Sequence, residues 1–174
     1  MSLFSILLFI HVLGAIIAFG ASYSTFPLLG AMSGKEPAHA NFGARVSHAI
    51  STKIVRPLAI LQGITGVALI LVGSIDLTKA LWLDVAIVLY VIAIGYALFV
   101  QIPVGERLVE LTSGGPPPAP GGAPNPPAAG AGGPAAPMGP PPGLLEAAGK
   151  ARRGGTFLGI IIAAIVFLMV TKPF

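Results

Sequence analysis

The chain has 174 residues, of which 55% are apolar and only 9% charged, and its mean hydropathy is +0.89. Ordinary soluble domains carry about 25% charged residues, so this composition cannot cover a water-soluble fold and points to a bilayer as solvent. Ten Lys and Arg against six Asp and Glu is too small an excess for a nucleic-acid binder, and the lack of cysteine excludes disulfides, thiolate metal centres, iron–sulfur clusters and cysteine nucleophiles.

Four apolar runs each approach the ~20 residues that an α-helix needs to cross the hydrocarbon. The first extends from Leu3 to about Leu29, free of Asp, Glu, Lys and Arg, with His11 as its one strongly polar residue. Ala18-Phe19-Gly20 offers small residues for signal cleavage. The basic leader segment is missing and the run stays apolar to Leu29, so it reads as a retained span. Next, Phe42, Val46, Ala49 or Ile50, and Ile54 recur at helical spacing, which predicts an interfacial helix at about 41–54. The second span follows Arg56, with Pro57 suited to a first helical turn, and contains Gln62. Asp76 and Thr78 are candidate caps for the third, from about Ala80 to Ile102, where Pro103 marks a kink or end. Trp82 stands at its edge as interfacial aromatics do, and Val104, Leu108 and Leu111 continue it as a short amphipathic extension.

Residues 113–153 form a loop whose stretch from Gly114 to Gly143 is Gly, Pro and Ala except for Asn125 and Met138. Such a segment buries too little side chain to offset the entropy of ordering, which predicts a disordered tether rather than a docking segment. The fourth span occupies 154–174, its apolar run ending at about Thr171. The expected fold is therefore all-α, a polytopic bundle of four transmembrane helices with a disordered Gly/Pro/Ala-rich loop. Within it, Gly14, Ala18 and Ser22, Ala59 and Gly63, Ala93 and Ala97, and Gly155, Gly159 and Ala163 form small-residue stripes that let helices approach closely.

Basic residues assign the orientation, because Lys and Arg are retained in the cytoplasm. Lys35, Arg45, Lys53 and Arg56 lie between the first two spans and Arg107, Lys150, Arg152 and Arg153 between the last two, while only Lys79 and Lys172 lie opposite. Both termini are expected outside the bacterial inner membrane.

Candidates for chemistry are few. An imidazole within the bilayer is costly unless it faces protein, a cofactor or water, so His11 leads. It is a structural hydrogen-bonding residue first and an axial ligand of haem b second, since His48 belongs near the opposite end and supplies no partner at its depth. Gln62 and Tyr90 read as hydrogen-bonding across helix interfaces, Asp84 as a solvated carboxylate, and Arg56 as snorkelling to phosphates or holding an anion together with His48. No nucleotide loop, catalytic triad or paired-carboxylate pattern is present.

His11-Val-Leu-Gly14-Ala15, Val55-Arg56-Pro57-Leu58 with Gly66, and Val100-Gln101-Ile102-Pro103 resemble the pattern of an uncharacterised bacterial family of predicted four-span membrane proteins. More distantly, His11 with Phe26-Pro27-Leu28 resembles the first span of copper-resistance D-type proteins and of the haem-binding J-type protoporphyrinogen oxidases, which implies a haem-ligating His11. The first span lacks their tryptophan, the basic residue after Pro27 and the following histidine. The leading expectation is a non-enzymatic accessory or structural membrane protein, in contact with the lipid bilayer and with copies of itself or other membrane proteins. A haem-binding redox protein using His11 is the alternative, and a small transporter the third.

Overall fold

A computed structural model describes residues 1–33, 37–113 and 142–173, with side chains described outside 25–39. Its elements are α1 (Leu3–Ser33), α2 (Pro37–Ile50), α3 (Arg56–Val72), α4 (Leu81–Tyr96), α5 (Ile102–Thr112) and α6 (Leu144–Thr171). All are helices; no strand occurs among the described residues. Four segments are long and apolar enough to cross a membrane: Leu3–Ser24, Ala40–Val72, Leu81–Thr112 and Leu144–Thr171.

The second and third of these are composite. A π turn, Ser51–Val55, joins α2 to α3, and another, Ala97–Gln101, joins α4 to α5. Each lies two residues before a proline, Pro57 or Pro103. A proline inside a helix removes an N–H and crowds the carbonyl four residues back, which usually kinks or ends the helix. Here the preceding N–H groups reach five residues back, Arg56 to Ser51 and Ile102 to Ala97, and the wider turn carries the helix through. Pro103 accordingly does not end the third helix, which runs to Thr112, and residues 41–54 continue directly into the second span.

The helices pack antiparallel, α1 along α3 and α4 along α6, while α2 and α5 lie against each other in the remaining parts of the two composite helices. Asn41 Nδ2 of α2 donates to Thr112 Oγ1 at 3.1 Å and to Ser113 Oγ at 3.2 Å. Phe4 sits beside Gly73 at one end of the bundle, where Lys172 also lies 5.6 Å from the Trp82 ring centre. Arg45, Lys53, Arg56, Arg107, Lys150, Arg152 and Arg153 gather towards the other end.

Burial is inverted relative to a soluble protein. The best-buried positions are small, such as Ala86 at 1% and Ala18 at 2% exposure, whereas Phe99 at 81% and Val170 at 75% face outward. Large apolar side chains cost nothing against lipid tails, and close approach of small-residue stripes supplies the packing between helices.

Two boundaries differ from the sequence-based expectation. Residues 144–153, assigned above to the loop, are the first turns of α6. Leucine and alanine favour helix there, Glu146 pairs with Lys150 one turn on at 2.9 Å, and Ala147 is buried. The Gly/Pro/Ala stretch itself, 114–141, lies outside the described residues. Asp76 does not cap α4; it caps the short 3₁₀ turn Leu77–Lys79, accepting from Thr78 N–H at 3.0 Å and from its hydroxyl at 2.6 Å.

Those two bonds, with Lys79 Nζ at 3.5 Å, hold the Asp76 carboxyl below its ordinary value of 3.8. A carboxylate with a depressed native value contributes order above its unfolded value and loses it as pH falls through the native one. The Asp76→Ala variant should therefore raise amide exchange at Thr78 near neutral pH. Below about pH 4 the difference from wild type should shrink progressively.

Candidate functional site: polar groups at the helix interfaces

The polar side chains inside the bilayer sit where helices meet. His11 projects from α1 onto α3, its Nδ1 lying 2.8 Å from Thr65 Oγ1. Thr65 is buried at 5% exposure, and its hydroxyl donates back to Leu61 O at 2.9 Å, shared with Gln62 O at 3.2 Å. A hydroxyl has one proton: spent on the carbonyls, it leaves Thr65 Oγ1 to accept from Nδ1–H, and spent on His11, it makes Nδ1 the acceptor. The first arrangement leaves the Nε2 lone pair free, and Nε2 has no hydrogen-bond partner among the described residues. Gly66 gives the ring room: a Cβ there would touch His11 Cε1 at 3.5 Å.

One turn along the same interface, Gln62 Oε1 lies against Gly14, where a Cβ would stand 3.0 Å away, and it is buried without a hydrogen-bond partner. The next contact crosses to α4. The Tyr90 hydroxyl donates to Ala59 O at 2.9 Å, and its ring fills the space beside Gly63. A third lies between α6 and the α4–α5 helix, where Gln101 Nε2 donates to Ala151 O at 3.0 Å beside Gly154. The Tyr96 ring packs edge-on against Phe157, with centroids 4.9 Å apart. Tyr23 of α1 closes the circuit by donating its hydroxyl to Gly159 O of α6.

Of the residues singled out from sequence, His11 and Gln62 share the α1–α3 interface, and Tyr90 joins α3 to α4. His48 does not join them. It faces Gly105 of α5 at the basic end, with Nδ1 buried and unpartnered, so His11 and His48 of one chain are not placed to grip one haem. Arg56 is exposed and makes no ion pair among the described residues. Asp84 stands in the first turn of α4, while Lys79 pairs with Asp76. No cluster of three His, Asp or Glu able to hold a metal ion occurs among the described residues.

Sequence reasoning missed Thr65, Gln101, Tyr23 and Gly154. Thr65 lies three residues after Gln62, a spacing that puts both on one face, and this was the available signal. Gly154 was displaced by its neighbour Gly155, where a Cβ would meet nothing within 4 Å.

A family model described as predicted integral membrane protein (DUF2269) matches residues 5–113, more than half of the chain. The chain belongs to the DUF2269 family. The matched region spans α1 to α5 and so includes His11, Gln62, Thr65 and Tyr90, whereas α6, which receives the Gln101 and Tyr23 hydrogen bonds, lies beyond it. No curated protein and no solved structure matches the chain. The DUF2269 match brings with it no likeness to copper-resistance or oxidase proteins.

Proposed function

We propose that the chain is a non-catalytic accessory or structural component of the bacterial inner membrane, with the basic end in the cytoplasm and both termini outside. The observation that carries this reading is the use of the polar groups at its helix interfaces. His11, Tyr23, Tyr90 and Gln101 each hydrogen-bond to a neighbouring helix. Polar side chains so engaged lock helices in register and are not held in reserve for a substrate.

A second reading is favoured by one specific feature. In the tautomer whose Nδ1–H is held by Thr65, His11 presents a free Nε2, as an imidazole ligand to a metal normally does. His11 Nε2 would then hold a haem iron, which would supply redox chemistry.

The visible spectrum of the protein purified in mild detergent, oxidised and then reduced, separates the two. The accessory reading expects a colourless protein that brings other membrane proteins with it. A Soret band that disappears in His11→Ala would overturn it in favour of haem. Orientation is tested separately, because the chain has no native cysteine. Leu77→Cys should react with an impermeant maleimide on intact cells and Ser113→Cys should not; the opposite pattern would reverse the topology.

A further inference from the structure

The helix that runs from Pro37 to Val72 differs from the others in charge. Residues 37–75 include Arg45, Lys53 and Arg56 and not one Asp or Glu. All three cations are exposed and none makes an ion pair among the described residues, whereas Lys79, Arg107 and Lys150 each hold a carboxylate.

The apolar part of the same helix lines up with these cations. From Arg56 the exposed positions Ile60, Ile64, Val67 and Leu71 follow at intervals of four, four, three and four residues. At 3.6 residues per turn such spacings keep them within about 80° of one another on the helix surface. Lys53, three residues before Arg56 across the π turn, is exposed as well. Arg56–Val72 rises roughly 25 Å, close to the thickness of the hydrocarbon. Lys53 and Arg56 therefore stand where long basic side chains reach the phosphates, directly above an unbroken aliphatic strip. The exposed strip of α4 (Val85, Val88, Val91) leads instead to Glu106 and to Arg107, which already holds Glu110 at 2.9 Å.

We propose that this face is a binding site for an anionic phospholipid, with Lys53 and Arg56 taking the headgroup phosphate and Ile60, Ile64, Val67 and Leu71 lying along an acyl chain. Charge complementarity selects the occupant, since a zwitterionic headgroup would bring a second cation to a helix that has no acid to receive it. Arg45, further from the bilayer, adds attraction without contact. The site is independent of the function proposed above and of any ligand at His11.

The test uses the full chain reconstituted in phosphatidylcholine vesicles, with nitroxide-labelled phosphatidylglycerol or phosphatidylcholine as probe and spin resonance reporting association. A basic residue near an anionic surface contributes about fivefold to association. Wild type should prefer phosphatidylglycerol, Lys53→Ala/Arg56→Ala should lose most of that preference, and the charge-conserving Lys53→Arg/Arg56→Lys should keep it. Arg152→Ala/Arg153→Ala removes the same charge from α6 and should have the smaller effect. Equal losses from the two double-alanine variants would overturn the site in favour of a diffuse field. So would an unchanged preference in Lys53→Ala/Arg56→Ala, displacement of the lipid by millimolar inorganic phosphate, or exclusion of lipid from this face by a second copy of the chain.

Discussion

Gly63→Ala is expected to destabilise the bundle by ~1–3 kcal/mol, the range for forcing a methyl into a packed interface. The added Cβ would stand 2.5 Å from the Tyr90 hydroxyl, 3.0 Å from Cζ and 3.2 Å from Cε1. These atoms belong to a rigid ring whose hydroxyl is tied to Ala59 O, so relief requires either that bond to break or α3 and α4 to separate. The gain from replacing a helical glycine, about 1 kcal/mol, offsets only part of this. In Tyr90→Phe the closest atom is gone, and Gly63→Ala should do less harm in that background. Unfolding by graded addition of a denaturing detergent measures the four-way cycle, and strict additivity would show that the two residues do not meet.

The second large effect is expected at Gly154. A Cβ there would overlap Gln101 Oε1 and stand 2.8 Å from the Tyr96 hydroxyl, with Gln101 Cδ at 3.2 Å. Gln101 has a flexible side chain, so alanine would be accommodated in part by its rotation, with loss of the bond to Ala151 O. Leucine leaves no such exit. Gly154→Leu should weaken the docking of α6 on the α4–α5 helix by ~3 kcal/mol, the upper end of overpacking. Gly155→Leu is the matched control and should leave the melting midpoint nearly unchanged, because its Cβ meets nothing within 4 Å. Equal effects at the two positions would mean that α6 is rotated about its axis relative to this arrangement.

That pair also shows where sequence reading stops. The four spans were legible because apolar length is a property of the chain alone, and the bilayer sets the length required. Stripes of small residues were legible as patterns, and the four-residue repeat favoured Gly155, Gly159 and Ala163, because Leu158 and Ile162 follow Gly154 at that spacing; a glycine outside the repeat shows its contact only once the partner helix is in place. The same limit hid Thr65. Its hydroxyl can satisfy itself on its own helix, so nothing in the sequence marks it as the partner of a histidine 54 positions earlier. His11, Gln62 and Tyr90 were legible because polar groups in an apolar run call for partners. Pro57 was read as suited to a first helical turn and Pro103 as a kink or an end. Two π turns instead carry the helix through both, an accommodation that depends on backbone geometry and leaves no mark in composition.

Polar side chains in this bundle hold helices to one another, and His11 and Thr65 are the pair in which that can be measured. Stabilities of wild type, His11→Ala, Thr65→Val and the double variant, measured by detergent-induced unfolding, form a cycle whose coupling term isolates the bond. Hydrogen bonds between transmembrane helices average about 0.6 kcal/mol with a maximum near 1.7, so a coupling of roughly 0.5–1.5 kcal/mol is expected, with both single variants destabilised. A coupling of zero with His11→Ala as stable as wild type would mean that the bond does not hold α1 to α3.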